Sequence, residues 1–172
     1  MKIFGLAGWS GSGKTTLMTR LIPAVAGRGI TVSTVKHAHH GFDIDQPGKD
    51  SFEHRAAGAK EVMIASAKRW ALMHELRSDA EPSMDELIAR MAPVDLLLVE
   101  GFKQADYDKI EVHRVAIGKP LLLNRDPRIV ALASDQPVPD STLPRFHLDE
   151  VDAIADFIIA HCGLAPASRG VA

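Results

Sequence analysis

Near its amino terminus the chain reads Gly8-Trp9-Ser10-Gly11-Ser12-Gly13-Lys14-Thr15, which satisfies the phosphate-loop spacing G-x-x-x-x-G-K-[ST]. Glycines let successive backbone N–H groups turn inward around phosphate oxygens, and a helix that starts there adds the positive end of its dipole. The Lys14 ammonium would serve the β- and γ-phosphates as a point charge, and the Thr15 hydroxyl is a hard oxygen ligand for Mg²⁺. Gly8, Ser10, Gly11, Ser12, Gly13, Lys14, Thr15 and Thr16 are therefore the candidate nucleotide contacts, with Lys14 also a candidate catalytic residue. The plainer reading, a Gly/Ser turn with a solvated lysine, is disfavoured by an apolar run before the segment and helical spacing after it.

A second chemical signal is Leu96-Leu97-Leu98-Val99-Glu100-Gly101, an apolar strand ending in an acid. Asp95 opens the strand and Glu100 closes it, so the two carboxylates lie roughly 16 Å apart at about 3.3 Å per residue. Ligands of parallel sheets sit beyond the carboxyl ends of the strands. Glu100 is thus the candidate metal-side and catalytic carboxylate, beside Thr15 as the other metal ligand. A third signal is Lys36-His37-Ala38-His39-His40-Gly41-Phe42-Asp43-Ile44-Asp45, whose imidazoles and carboxylates suit a transition metal, phosphates, Mg²⁺ or an attacking water. Adjacent His39 and His40 cannot easily aim at one ion and no cysteine helps, which favours phosphate or partner contact over a closed metal site, with a merely solvated loop as the other reading. His37 is the nucleotide-contact candidate from this loop and Asp43 the catalytic one.

Asn124-Arg125-Asp126 is a weaker, shortened counterpart of the Asn-Lys-x-Asp box that reads guanine, since an aspartate accepts the base's N–H donors. A turn built by Asn, Asp and Pro127 explains it equally well. Asp135, in Ala133-Ser134-Asp135, is a second candidate for the same base contact.

These residues need elements to hold them. Residues 3–7 predict a strand, and Leu17, Met18, Leu21, Ile22 and Val25 predict a helix, kinked at Pro23 and stopped by Gly27 and Gly29. Residues 31–35 predict a parallel strand completing a right-handed β-α-β unit. Residues 62–65 and 70–74 predict a hairpin forming an antiparallel edge on the main sheet. Ser83 with Glu86 predicts a capped helix before Pro93, and 96–99 a strand buried on both faces. The alternation over 110–115 predicts a half-exposed strand, whereas 121–123 and 129–133 read as fully buried. A last helix is expected over about 150–161, then a loose tail over 163–172. Alternating strands and helices give an α/β fold of three layers: a P-loop NTPase fold, mostly parallel, in one domain over residues 1–172.

With 46% hydrophobic residues the 172-residue chain has ample material for a core, and a net charge of −2 excludes a broadly basic nucleic-acid surface. The single Cys162 permits neither an internal disulfide nor a thiolate zinc site, and there is no secretory leader or long apolar span, so a cytoplasmic protein away from membranes is expected.

Gly8 to Thr15, Lys36-His37-Ala38-His39-His40 with Phe42-Asp43, Gly48-Lys49-Asp50-Ser51 with His54-Arg55-Ala57-Gly58-Ala59, and Leu98-Val99-Glu100-Gly101-Phe102-Lys103 occur in this order. Together they resemble the MobB family, adaptor proteins of molybdopterin guanine dinucleotide biosynthesis, over residues 2–135. The resemblance implies a P-loop protein that binds GTP in preference to ATP, forms a homodimer and assists the guanylyltransferase that attaches GMP to molybdopterin, itself a further candidate ligand. The guanine contacts stay unassigned, and slow Mg²⁺-dependent GTP hydrolysis is expected because the loop of His37, His39, His40, Asp43 and Asp45 offers no glutamine to hold the attacking water. Two rivals stand beside it. A small-molecule kinase would need a lid of arginines, and Arg55, Arg69 and Arg77 are scattered; no arginine is close in sequence to the two phosphate-facing strand ends considered. A purely structural module would carry a vestigial P-loop. Trp70, Leu72 and the strand over 110–115 are the expected dimer surface.

Overall fold

The computed structural model describes residues 1–38, 41–101, 105–138 and 142–165. In chain order the elements are β1 (Lys2–Ala7), α1 (Lys14–Ala26), β2 (Val32–Lys36), α2 (Asp50–Ala56), β3 (Glu61–Ala65), β4 (Trp70–His74), α3 (Met84–Ile88), β5 (Leu96–Glu100), β6 (Lys109–His113), β7 (Ile129–Ser134), β8 (Arg145–His147) and α4 (Val151–His161). They fall into two compact units, Met1–His37 with Ala92–Ala172, and Ala38–Met91, a division that the one-domain expectation does not draw.

The first unit is built on a six-stranded sheet of order β2-β5-β1-β6-β7-β8, parallel at every pairing. β1 and β2 both pair with β5, so the opening β-α-β unit straddles a third strand. Phe4, Leu6, Leu98, Ile110, Val112, Ala131 and Ala133 form one core with Leu17, Leu21 and Val25 of α1 and Ile154 and Ile158 of α4. Each large side chain removed from water there stabilises the fold by about 1.5–3 kcal/mol. On the opposite face Leu97, Val99 and Leu132 are also buried. The α/β fold with helices flanking a mostly parallel sheet is the one expected.

Helix α1 runs through Pro23 and ends where Gly27 N–H donates to the Pro23 carbonyl. Arg28 closes that end, donating to the Ala24 carbonyl and pairing with Asp152 and Asp156 of α4. The Asp156 contact raises the proton affinity of Arg28 and keeps the Asp156 carboxyl below the usual range.

Three expectations are corrected. β6 is interior, not half-exposed: Lys109, Ile110, Glu111 and Val112 are all buried, because its polar residues have partners. The Lys109 ammonium donates to Asp126 at 3.0 Å and to the Ala105 carbonyl at 2.9 Å. The Glu111 carboxylate accepts the backbone N–H groups of Leu122 and Leu123 at 2.7 and 2.9 Å. Residues 121–123 consequently form a half-buried turn over Glu111 and not a strand. The hairpin exists, but β3 and β4 form a separate two-stranded sheet and not an edge of the main one. The short β8 carries no apolar run of its own, so the sequence pattern does not announce it.

In the second unit Met63 lies opposite Leu72 and Ala65 opposite Trp70. Ser83 caps α3 as its sequence predicts: its hydroxyl accepts from Glu86 N–H at 3.3 Å, and the Glu86 carboxylate accepts from Ser83 N–H at 2.8 Å.

Candidate functional site

The glycine-rich segment leaves the carboxyl end of β1 and turns into α1. Gly8 has φ 147°, and a Cβ there would overlap the Val112 carbonyl oxygen and the Ser12 hydroxyl. Gly13, the residue before α1, sits at φ 98°. Both are conformations that disfavour a side chain, so these glycines are demanded by the close passage of the loop against β6 and by its entry into the helix. Lys14 reaches back across the loop, Nζ donating to the Gly8 and Trp9 carbonyls, each at 2.9 Å. Ser12 is buried and its hydroxyl has no hydrogen-bond partner among the described residues.

The strand register brings the second predicted residue to this loop. Leu6 lies beside Glu100 on β5, and the Thr15 hydroxyl contacts the Glu100 carboxylate oxygens at 3.0 and 3.2 Å, donating its proton there. Glu100 is 8% exposed. Asp95 lies at the other end of β5, where its carboxylate accepts from Thr31 N–H and the Thr31 hydroxyl at 2.8 and 2.6 Å. Those bonds hold its carboxyl below the usual range. His37 continues β2 alongside, its N–H donating to the Glu100 carbonyl at 2.9 Å, and its Cβ lies 3.1 Å from where a Gly101 Cβ would be.

The base candidates separate. Asp126 stands at the amino end of β6 and β7, bound to Lys109 and to Arg128 N–H, away from the edge that carries the P-loop. Asn124 is exposed in the turn before it. Asp135, by contrast, follows β7 at the P-loop edge. One of its oxygens accepts from Val115 N–H at 3.1 Å and the other lies 3.8 Å from Arg114 Nη1.

Asp43 belongs to the second unit. Arg55 donates to one of its oxygens at 2.7 Å and Asp45 N–H to the other at 2.9 Å. The Arg55 bond, followed by the backbone bond, keeps the Asp43 carboxyl below its ordinary range, which makes it a weak general base. Arg55 also donates to Glu75 and Arg77 to the carbonyls of Arg55 and Ala59, so two of the three arginines considered for a kinase lid are tied within their own unit. His39 and His40 lie outside the described residues, as do Phe102 and Lys103. Among the described residues no group of three or more His, Cys, Asp or Glu side chains could hold a metal.

Sequence reasoning missed Arg114. It follows β6, a strand whose end also faces the P-loop, and a Cβ built on Gly13 would lie 3.3 Å from its Nε and 3.5 Å from its Nη2. The signal that could have found it was the burial of β6. Trp9 is also anchored, its indole N–H donating to the Pro120 carbonyl at 2.8 Å.

With the loop, Glu100 and their supporting strands in place, residues 3–135 match the family described as MobB, molybdopterin guanine dinucleotide synthesis protein B. The chain belongs to the MobB family. It is 42% identical over 160 residues to a molybdopterin-guanine dinucleotide biosynthesis adapter protein of Escherichia coli, covering 91% of each chain. Its identity to the protein of that name from Haemophilus influenzae is also 42%, over 91% of this chain and 86% of the other. A crystal structure of molybdopterin-guanine biosynthesis protein B superposes with a TM-score of 0.73 at 31% identity, over 92% of this chain and 99% of that one. The MobB match contains the whole P-loop, Glu100, Arg114 and Asp135. Among the described residues no helix is long and apolar enough to cross a membrane.

Proposed function

We propose that this MobB-family chain is a Mg²⁺-dependent GTP-binding adapter of molybdopterin guanine dinucleotide biosynthesis, acting in the cytoplasm beside the guanylyltransferase that attaches GMP to molybdopterin. The observation that carries the nucleotide reading is the pairing of Thr15 with Glu100 at the mouth of a loop in which Gly8 leaves no room for a side chain. A hydroxyl and a carboxylate are the hard oxygen donors Mg²⁺ takes, through one or two protein ligands with phosphates completing the set. The loop also holds the buried Ser12 hydroxyl and the Lys14 ammonium. Bound Mg²⁺ would neutralise phosphate charge; Thr15 and Glu100 would hold it, and Lys14 would face the phosphates. The adapter role is supported by relatives of that name aligned over most of both chains.

Calorimetric titration with GTP, ATP and GDP, with and without Mg²⁺, tests the reading; failure of every nucleotide to bind would reject it. The partner role is tested by mixing the protein with the guanylyltransferase, GTP and molybdopterin. The isolated chain should turn GTP over slowly, and the mixture should raise GTP turnover or guanylylated product. Turnover of tens per second by the isolated chain, within the range of phosphotransferases, would make it an enzyme in its own right.

Glu100→Gln is expected to weaken Mg²⁺-dependent GTP binding about tenfold, whereas Asp95→Asn should leave it within about twofold; tenfold corresponds to 1.4 kcal/mol. Only Glu100 stands beside Thr15. A Mg²⁺ titration at fixed GTP decides, and equal effects would remove Glu100 from the metal.

The homodimer is proposed through one face of the β3–β4 hairpin. Met63, Trp70 and Leu72 stand on that face at 62, 67 and 44% exposure, and isolated two-stranded hairpins are marginal without a cover. The strand over 110–115 is withdrawn from that surface because its β6 residues are interior. Trp70→Asp with Leu72→Asp should convert a dimer to monomer in sedimentation at micromolar concentration; a monomeric parent protein would reject the interface.

A further inference from the structure

Arg114 leaves β6 in extended conformation, φ −128° and ψ 121°, immediately before a turn of 3₁₀ helix over Val115–Ile117. That geometry turns its side chain onto the P-loop. Three guanidinium atoms, Nε, Nη2 and Cζ, lie 3.3, 3.5 and 3.9 Å from the position a Gly13 Cβ would take. The guanidinium therefore covers the flank of the loop at Gly13, directly before the helix whose first residue is Lys14. Among the described residues its one ion pair is with Asp135 at 3.8 Å, and it makes no hydrogen bond. Its side chain is 42% exposed and that of Asp135 23%.

Asp135 is itself fixed. Its other carboxylate oxygen takes the Val115 N–H at 3.1 Å, so the backbone that follows Arg114 and the carboxylate that faces its guanidinium form one unit bridging the ends of β6 and β7. The arginine consequently has a set root and a counter-charge at its tip, with a planar fork of N–H donors still open to an anion. Such a fork matches phosphate oxygens two at a time, which a lysine cannot do.

Resting on the proposal that the P-loop binds GTP, we propose that Arg114 is a second cation of the phosphate site, supplied from the end of β6 to clamp the nucleotide's phosphate chain, and that Asp135 is its positioning residue. Lys14 supplies charge from within the loop, and Arg114 does so from the neighbouring strand. The proposal gives Asp135 a phosphate-side role and leaves the guanine contacts to other groups.

The test uses the full chain and isothermal titration with GTP and GDP at several salt concentrations, with circular dichroism and thermal unfolding as folding controls. Arg114→Ala should weaken GTP binding at least tenfold and flatten its salt dependence, because a screened charge pair has been removed. Arg114→Lys should recover part of the affinity and all of the salt dependence. Asp135→Asn should weaken binding a few-fold with the salt dependence retained. A folded Arg114→Ala variant with GTP affinity within twofold of the parent and an unchanged salt dependence would overturn the clamp while leaving the GTP reading intact. A parent protein that binds no nucleotide would overturn both.

Discussion

Lys14→Ala is expected to weaken GTP binding by about ten- to a hundredfold without unfolding the protein. Hydrogen bonds to charged groups contribute about 1.5–3 kcal/mol, and 1.4 kcal/mol corresponds to a factor of ten in affinity. The ammonium is held at the loop by the carbonyls of Gly8 and Trp9, so phosphate entry would require only a local exchange of partners. Lys14 is half-buried at the loop and takes no part in the hydrophobic core, which is why the core should be indifferent. Circular dichroism and a calorimetric titration of the variant separate the two effects. An unchanged affinity in a folded variant would remove the P-loop as the nucleotide site.

Asp126→Ala should behave in the opposite way, costing about 3 kcal/mol of stability and leaving GTP affinity within about twofold. Its partner Lys109 has a side chain only 3% exposed, and Asp126 supplies the carboxylate at 3.0 Å. Breaking a buried pair leaves an uncompensated charge and costs about 3–5 kcal/mol; at 24% exposure for Asp126 the lower end applies. The neighbourhood is tight, with the Tyr107 ring beside both Gly5 and Lys109. Burial, with the Asp126 charge adding to it, pushes the Tyr107 phenol up. Urea unfolding should show a lower midpoint with an unchanged slope. Intact stability combined with loss of guanine selectivity would return Asp126 to the base pocket.

The parts of the molecule legible in the sequence are those where one physical demand dominates. The P-loop needs glycine, lysine and a hydroxyl in a fixed order, and the run Leu96 to Val99 of β5 is apolar at every position, as a strand buried on both faces most simply is. The distance along β5 sufficed to choose Glu100 over Asp95 as the residue near the loop. Misreadings arose where two demands overlap. In β6, Lys109 and Glu111 alternate with Ile110 and Val112 as in a strand with one wet face, yet each polar group is neutralised or hydrogen-bonded indoors. Leu121-Leu122-Leu123 looks like a buried strand because the turn that feeds Glu111 its N–H donors has to be covered as well. Arg114 went unrecognised for the same reason as β6: a residue at the end of a solvent-facing strand would have had no site to face.

The position of β5 has a consequence for how the site comes into being. It lies between β1 and β2 in the sheet but follows both of them, and the whole Ala38–Met91 unit, in the chain. β6, the other neighbour of β1, comes later still. While the chain is being synthesised, the complete P-loop motif therefore emerges with no strand to pair beside it, no Glu100 and no Arg114. Pairings this distant in sequence are slow to form, although the entropic cost of closing the loop grows only with the logarithm of its length. The proposed phosphate site is thus assembled late, and nucleotide binding would mark the point at which the central strands have closed.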